Sequence, residues 1–351
     1  MDVADEATAR QGGTASPATS APTRGARSAH ALPAPPRSRA RRRTDGGLRK
    51  GLEIAFFVTP ALAIFSVFVV WPVIRAIHFS LYSWKGYGPM VDFVGLKNYV
   101  TVLGNDVFQG ALVNNLTIMV VSIAVQLPLG LAVALLLNRK LKGRNILRTI
   151  VFVPYVLAEV VTGVIWRQML QAQYGLIDTI AAAIGFPTPQ QGFLGDTSYA
   201  MGALMVVLTW KYLGLAVVLF LAGLTSVPEE LFEAAQIDGA SWWQVQRKVT
   251  IPLLGPTVRM WAFLSIIGSI QVFDMVWILT KGGPANATQT MATFLYSFGV
   301  DRNLYGIASA ASVILFVISL VLALTYQRIF MRRDADGGLA TGRKAKKVGA
   351  R

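Results

Sequence analysis

Glu233-Ala234-Ala235-Gln236-Ile237-Asp238-Gly239, running on from Ala240 to Pro252, is the stretch from which the fold is read. It is a short, half-acidic interruption between two long apolar runs. Upstream, Ser226-Val227-Pro228-Glu229 has the pattern of a capping box, with Pro228 in the first turn, where its missing N–H costs nothing. A helix of about two to three turns then continues from Leu231 through Ile237, and Gly239 stands where a left-handed stop belongs. Ser241-Trp242-Trp243-Gln244 repeats the capping box and starts a second short helix that Pro252 closes. The stretch predicts a helix–turn–helix between membrane spans.

Ala234 and Ala235, with Leu231 and Asp238 three and four residues away, form a narrow face that admits a close-packed backbone. Glu229, Glu230 and Glu233 suit the positive end of the helix dipole and offer charge to a basic partner. Resting on lipid headgroups is the plainer alternative. Helices that lie on membranes are rich in Lys and Arg, however, and this one is acidic at its start. It reads as a docking helix.

Glu233-Ala234-Ala235-x-x-x-Gly239, followed after nine residues by Val249-Thr250-Ile251-Pro252, resembles the EAA signature of the permease subunits of type I ABC importers. The family pattern ends Ile-x-Leu-Pro; here Val249 and Ile251 stand in its aliphatic places. The fuller string from Phe232 to Ala240 resembles the carbohydrate-transporting branch. So do Gly95-Leu96-Lys97-Asn98-Tyr99, Leu135-Leu136-Leu137-Asn138, Trp210-Lys211-Tyr212-Leu213-Gly214 and Leu279-Thr280-Lys281-Gly282-Gly283-Pro284, in that order. The resemblance covers roughly residues 54–330. It implies an all-α polytopic permease whose loop helix fits a cleft on a cytoplasmic ATPase, with Glu233, Ala234, Ala235, Asp238, Gly239 and Pro252 as the ATPase-coupling residues. It also implies a second permease subunit (in this branch a paralogue), a cytoplasmic ABC ATPase dimer and an extracytoplasmic solute-binding protein. The implied cargo is a sugar or a sugar-like solute.

The composition agrees with a membrane protein: of 351 residues, 54% are hydrophobic and only 15% charged, too apolar for an ordinary soluble domain. Six apolar runs, 54–77, 116–137, 149–170, 199–221, 258–279 and 306–326, are each long enough to cross a hydrocarbon core of ~30 Å. Residues 1–50 are Ala/Pro/Ser/Thr/Arg-rich and are expected to be a disordered basic tail. The expected organisation is that tail, a six-span domain over 51–330 with its loop at 226–255, and a second basic tail at 331–351.

Basic residues assign the sides. Arg39, Arg41, Arg42, Arg43, Arg49 and Lys50 precede the first run; Arg139, Lys140, Lys142, Arg144 and Arg148 lie between the second and third. Arg247 and Lys248 fall between the fourth and fifth, and Arg328, Arg332, Arg333, Arg343, Lys344, Lys346 and Lys347 follow the sixth. The segments 78–115, 171–198 and 280–305 are poor in both. By the positive-inside rule, both termini and the Glu233 loop are cytoplasmic in a bacterial-type plasma membrane. The net charge of +15 is then mostly tail charge attracted to lipid headgroups, not affinity for nucleic acid.

Several functions are excluded. There is no Cys, and only His30 and His78 are imidazoles, so neither thiolate chemistry nor a His-rich metal site is expected, and no cofactor. No Gly-Lys dipeptide occurs, so a Walker-type phosphate cradle is missing and ATP hydrolysis falls to another polypeptide. No catalytic residue is expected. An intramembrane hydrolase would need a base that His78, at the end of a span, does not supply. An ion-coupled secondary transporter, using intramembrane carboxylates, is the rival from another class, and it has no evident use for the capped acidic loop.

Ionisable groups in hydrocarbon face a bundle interior or a wet cavity. Glu159, Lys211 and Asp274, with Gln271, are therefore the candidates for a solute pathway. Gln126, Trp166, Gln168, Trp210 and Trp277 add hydrogen bonds and flat apolar faces of the kind a sugar ring uses. Two readings stand side by side: these groups line a route, or Glu159 and Lys211 pair to hold helices together while the tryptophans sit in the interfacial belt.

Overall fold

A computed structural model describes residues 46–139 and 142–331. The tails expected at 1–50 and 331–351 fall largely outside the described residues. So do His30, the Arg39–Arg43 cluster, Lys140 and the basic residues from Arg332 onward. The chain divides into two compact units, Met1–Pro60 and Ala61–Arg351. The described part of the first, residues 46–60, is helical. The second is built from helices, and an isolated antiparallel bridge between Tyr82 and Phe93 is its β pairing among the described residues.

Four helices are long and apolar enough to cross a membrane: Gly51–Ser80, Asp106–Leu137, Ala200–Thr225 and Tyr305–Phe330. Two bent pairs, Arg144–Val156 with Glu159–Met169 and Trp242–Leu253 with Gly255–Gln271, bring the number to six if each pair is one span. The all-α, six-run reading of the sequence therefore holds, with two of its spans broken. In the third span the break is 98°. Pro154 removes an N–H from its last turns, and Leu157 and Ala158 are extended, with ψ of 140° and 143°. The run expected over 258–279 is split as well: its helix ends at Gln271, and Asp274–Leu279 follows as a separate short helix.

Pro72 and Pro128 lie within unbroken helices, while Pro252 comes shortly before the 64° bend at Leu254. The π-helical turns Ser66–Val70, Ser122–Gln126 and Gln246–Thr250 each end two residues before a proline: Pro72, Pro128 and Pro252. A proline ring collides with the carbonyl one α-turn back, and widening that turn lets the helix run on.

The fourth span is the most buried of the four long helices. Its Ala216, Val217 and Phe220 pack with Ala134 and Leu135 of the second span and Trp261 of the fifth. Farther along, Leu204, Val207 and Leu208 meet Ile118, Met275 and Val276. Gly214 lets the third span come close, since a Cβ there would lie 2.7 Å from the Val151 carbonyl oxygen.

One expected cap is not formed. Ser226 is the residue that closes the fourth span, and its hydroxyl donates to the Gly223 carbonyl at 2.7 Å. The next helix starts at Glu229, with Pro228 in the cap position and no side-chain cap. The residue before a proline is kept out of the helical region, so Val227 cannot open the helix that a Ser226 box requires.

Candidate functional site

The loop helix Glu229–Ile237 ends as its sequence dictates. The Gly239 N–H donates to Gln236 and the Ala240 N–H to Ala235, each at 3.0 Å, and Gly239 takes φ +73°. The second capping box is present: the Gln244 N–H donates to Ser241 Oγ at 3.4 Å, and the Ser241 N–H donates to Gln244 Oε1 at 2.7 Å. Glu229–Ile237 has no buried residue. Leu231 is exposed, Ile237 is 86% exposed, and Glu233 and Ala234 lie in the open beside them. Ala235 is half-buried, while Asp238, Gly239 and Pro252 are exposed. Phe232, like Ala235, is half-buried, and the helix leaves Leu231 and Ile237 as apolar surface that no other described residue covers.

At membrane level the second, fourth and fifth spans enclose a cavity of ≈ 210 Å³. That is far above the ~10–15 Å³ that admits one water, and the wall is mainly apolar with a few polar groups set into it. The π-helical turn of the second span brings Ser122 and Gln126 to this wall; Ser122 Oγ lies 2.9 Å from Gln126 Oε1 and 3.0 Å from Ser265 Oγ, and its one proton is shared between these two acceptors. Ser269, Tyr212 and Trp261 complete the polar part, with Ile118, Leu208 and Leu264 supplying apolar surface. Trp261 is 3% exposed, and its indole N–H has no partner among the described residues. The cavity thus combines a few hydroxyls and an amide with a mainly apolar wall.

Both breaks are stitched by side chains of neighbouring spans. Lys211, 2% exposed, donates from Nζ to the carbonyls of Leu157 and, at 3.4 Å, Tyr155, where the first half of the third span ends. Its Nζ also lies 4.0 Å from Glu159 Oε1, to which Tyr212 Oη donates at 3.0 Å. At the fifth-span break, Asn115 donates to the carbonyls of Ser269 and Ile270 and accepts from the Met291 N–H, while Thr290 Oγ1 donates to Val272. In hydrocarbon these carbonyls have no water to turn to.

Of the four pathway candidates, Glu159 and Lys211 come together at the third-span break, whereas Gln271 and Asp274 are exposed at the two helix ends of the fifth-span break. None of the four is on the wall of the 210 Å³ cavity; Gln126 is. Trp166 and Trp210 stack edge to face at 5.4 Å, and Trp277 packs on Phe273 and Tyr296. Gln168 lines another cavity, with Arg167 and Lys281. The cavity residues not singled out from sequence are Ser122, Tyr212, Trp261, Ser265 and Ser269. Trp261, Ser265 and Ser269 carried a signal, four residues apart on one face of an apolar run.

The family described as "Binding-protein-dependent transport system inner membrane component" matches residues 126–333. The trehalose/maltose transport system permease protein MalF of Thermococcus litoralis is 34% identical over 278 residues, 79% of this chain and 93% of that protein. The diacetylchitobiose uptake system permease protein NgcF of Streptomyces coelicolor is 33% identical over 330 residues, 91% of this chain and 92% of that one. The lactose transport system permease protein LacF of Rhizobium radiobacter is 32% identical over 281 residues, covering 79% and 93%. In fold, the chain is similar to one in the crystal structure of a bacterial alginate ABC transporter with its pentasaccharide-bound periplasmic protein. The TM-score is 0.72 at 23% identity, over 83% of this chain and 98% of that one.

Proposed function

The chain belongs to the family of binding-protein-dependent transport system inner membrane components, and on that basis we propose that it is one permease subunit of an ATP-driven sugar importer, worked by separate ATPase subunits through its loop helix. The observation that carries this reading is the Glu229–Ile237 helix, which is closed at its C-terminal end by the Gly239 and Ala240 N–H groups yet has no fully buried residue and leaves Leu231 and Ile237 exposed. Such a helix is complete only when something covers it. Relatives named for trehalose and maltose, diacetylchitobiose and lactose support sugar as the cargo class.

The permease acts with a second, paralogous permease subunit, a cytoplasmic pair of ABC ATPases and an extracytoplasmic solute-binding protein. It is a transport subunit with no ATPase site of its own. It lies in a bacterial-type plasma membrane, with residues 51–330 as the spanning domain, the loop at 226–255, and the basic tails 1–50 and 331–351 on the cytoplasmic side. The 210 Å³ cavity is the solute's stopping place at membrane level. Closure of the ATPases pushes on Glu233, Ala234, Ala235 and Asp238, and Gly239 turns the push into Trp242–Leu253. Pro252 lies in the last turn of that helix, just before the 64° bend into Gly255–Gln271. This last helix carries Trp261, Ser265 and Ser269, so displacing the loop displaces a cavity wall.

Co-purification from the native membrane, read by mass spectrometry, tests the proposal. An ATPase with a Walker motif accompanies the wild type and is lost from Ala235→Asp and Gly239→Pro variants that still insert. A preparation without any ATPase that moves solute on an ion gradient would make the chain an ion-coupled secondary transporter instead.

A further inference from the structure

We propose that the permease carries a site for a phosphate-bearing anion, filled by an anionic phospholipid headgroup, between the end of its second span and its two loop helices. A cavity of ≈ 650 Å³ lies there, and Arg139, Arg144, Trp242 and Gln246 are on its wall. The proposal rests on the cytoplasmic placement of the loop given above, because the inner leaflet is where anionic lipid meets basic residues.

Three observations converge on an anion. Among the described residues, neither Arg139 nor Arg144 forms an ion pair. Arg139 is instead held over the face of Trp242, with its guanidinium carbon 5.0 Å from the ring centroid. Arg144 opens the helix Arg144–Val156, whose first turn contains no acidic residue. A cation at the positive end of a helix dipole is unfavourable by itself and becomes favourable once an anion sits between the two.

Gln246 is 7% exposed and lies on the cavity wall, and its side chain makes no hydrogen bond to another described residue. Its amide atoms are not among the fully buried unpartnered ones, so on the cavity wall beside the guanidiniums the amide is a free donor for a ligand in that space. Glu229 is also on the wall, so the lining sets two guanidiniums against one carboxylate. That balance favours a singly charged phosphodiester over a polyanion. Trp242 and Trp243, both exposed, suit the headgroup level of a bilayer. A headgroup held here bridges the basic segment after the second span to the helix that passes motion into the fifth, and so tunes coupling by leaflet composition.

The test uses the purified full-length chain. Native mass spectrometry after exchange into phosphatidylglycerol or phosphatidylcholine vesicles reads retained lipid, and thermal unfolding in detergent with inorganic phosphate reads the free anion. Wild type is expected to retain phosphatidylglycerol, with about fivefold weaker retention for each of Arg139→Gln and Arg144→Gln. Gln246→Leu should weaken it as well. Lys142→Gln, which removes a cation of the same segment that is not on the cavity wall, should not. Phosphate-dependent stabilisation lost in the same variants, without lipid retention, would keep the anion site and assign it to a soluble phosphate. Equal behaviour of wild type and variants in both assays would overturn the site. Arg139→Gln alone suffices if Arg144→Gln does not fold, because Arg139 is exposed. Neither assay needs an ATPase, so their failure is separable from failure of the co-purification test.

Discussion

Lys211 shows how one side chain can satisfy both of the roles its sequence position suggests. An ammonium in an apolar run announces either a route or a pair, and here it is 2% exposed, spending its donors on the Leu157 and Tyr155 carbonyls and its charge on Glu159. Tyr212, bonded to the same carboxylate, is on the cavity wall, so the pair at the break and the proposed route are one hydrogen bond apart. Lys211→Met is expected to destabilise the permease by about 2–3 kcal/mol, since it strands two carbonyls and a carboxylate that is only 31% exposed. Adding Glu159→Gln should recover about 1 kcal/mol, because the uncompensated charge goes with it. Thermal unfolding of the four proteins in detergent gives the cycle; an additive double mutant would mean that no coupling exists. Lys211 and Glu159 were legible because charge in hydrocarbon is rare. Their carbonyl partners were not, because nothing in the run 149–170 except Pro154 says that the helix stops there.

At the scale of elements, the two candidate caps of the loop separate local chemistry from context. Ser241 and Gln244 satisfy each other within one turn, so four residues of sequence were enough to read them. Ser226 has the same pattern, but Pro228 displaces the helix start and the fourth span claims the hydroxyl. Ser241→Ala should therefore cost about 1 kcal/mol of local helix stability, and Ser226→Ala less than about 0.5. Hydrogen exchange of the Gln244 and Leu231 amides distinguishes them, and equal protection losses would contradict the assignment. Prolines were similarly ambiguous. Pro72 and Pro128 are accommodated by π-helical turns within continuous helices, whereas Pro154 precedes a break and Pro252 has both, a π-helical turn before it and a 64° bend after it. The cavity was the least legible element of all: Ser122, Tyr212 and Ser265 are far apart in the chain and converge only once three spans pack.

For the whole molecule, the absence of cysteine gives a clean background for mapping sides. Single cysteines at exposed Tyr87 and Tyr174 are expected to react with an impermeant maleimide in intact cells, and one at exposed Ile237 only after lysis. Labelling of Ile237→Cys from outside would invert the topology and remove the loop helix from reach of a cytoplasmic ATPase. The stitched third-span break also bears on how the protein is made. Until the helix Ala200–Thr225 leaves the ribosome, the carbonyls of Tyr155 and Leu157 have no lysine to meet, so the third span is an unfinished insertion unit waiting for its successor. A nascent chain ended just before Ala200 should be cleared by membrane proteases much faster than one ended just after Thr225, and pulse-chase lifetimes of the two fragments measure that. A shorter lifetime for the first fragment is the expected outcome, and it would mean that the fourth span, through one lysine, completes the third.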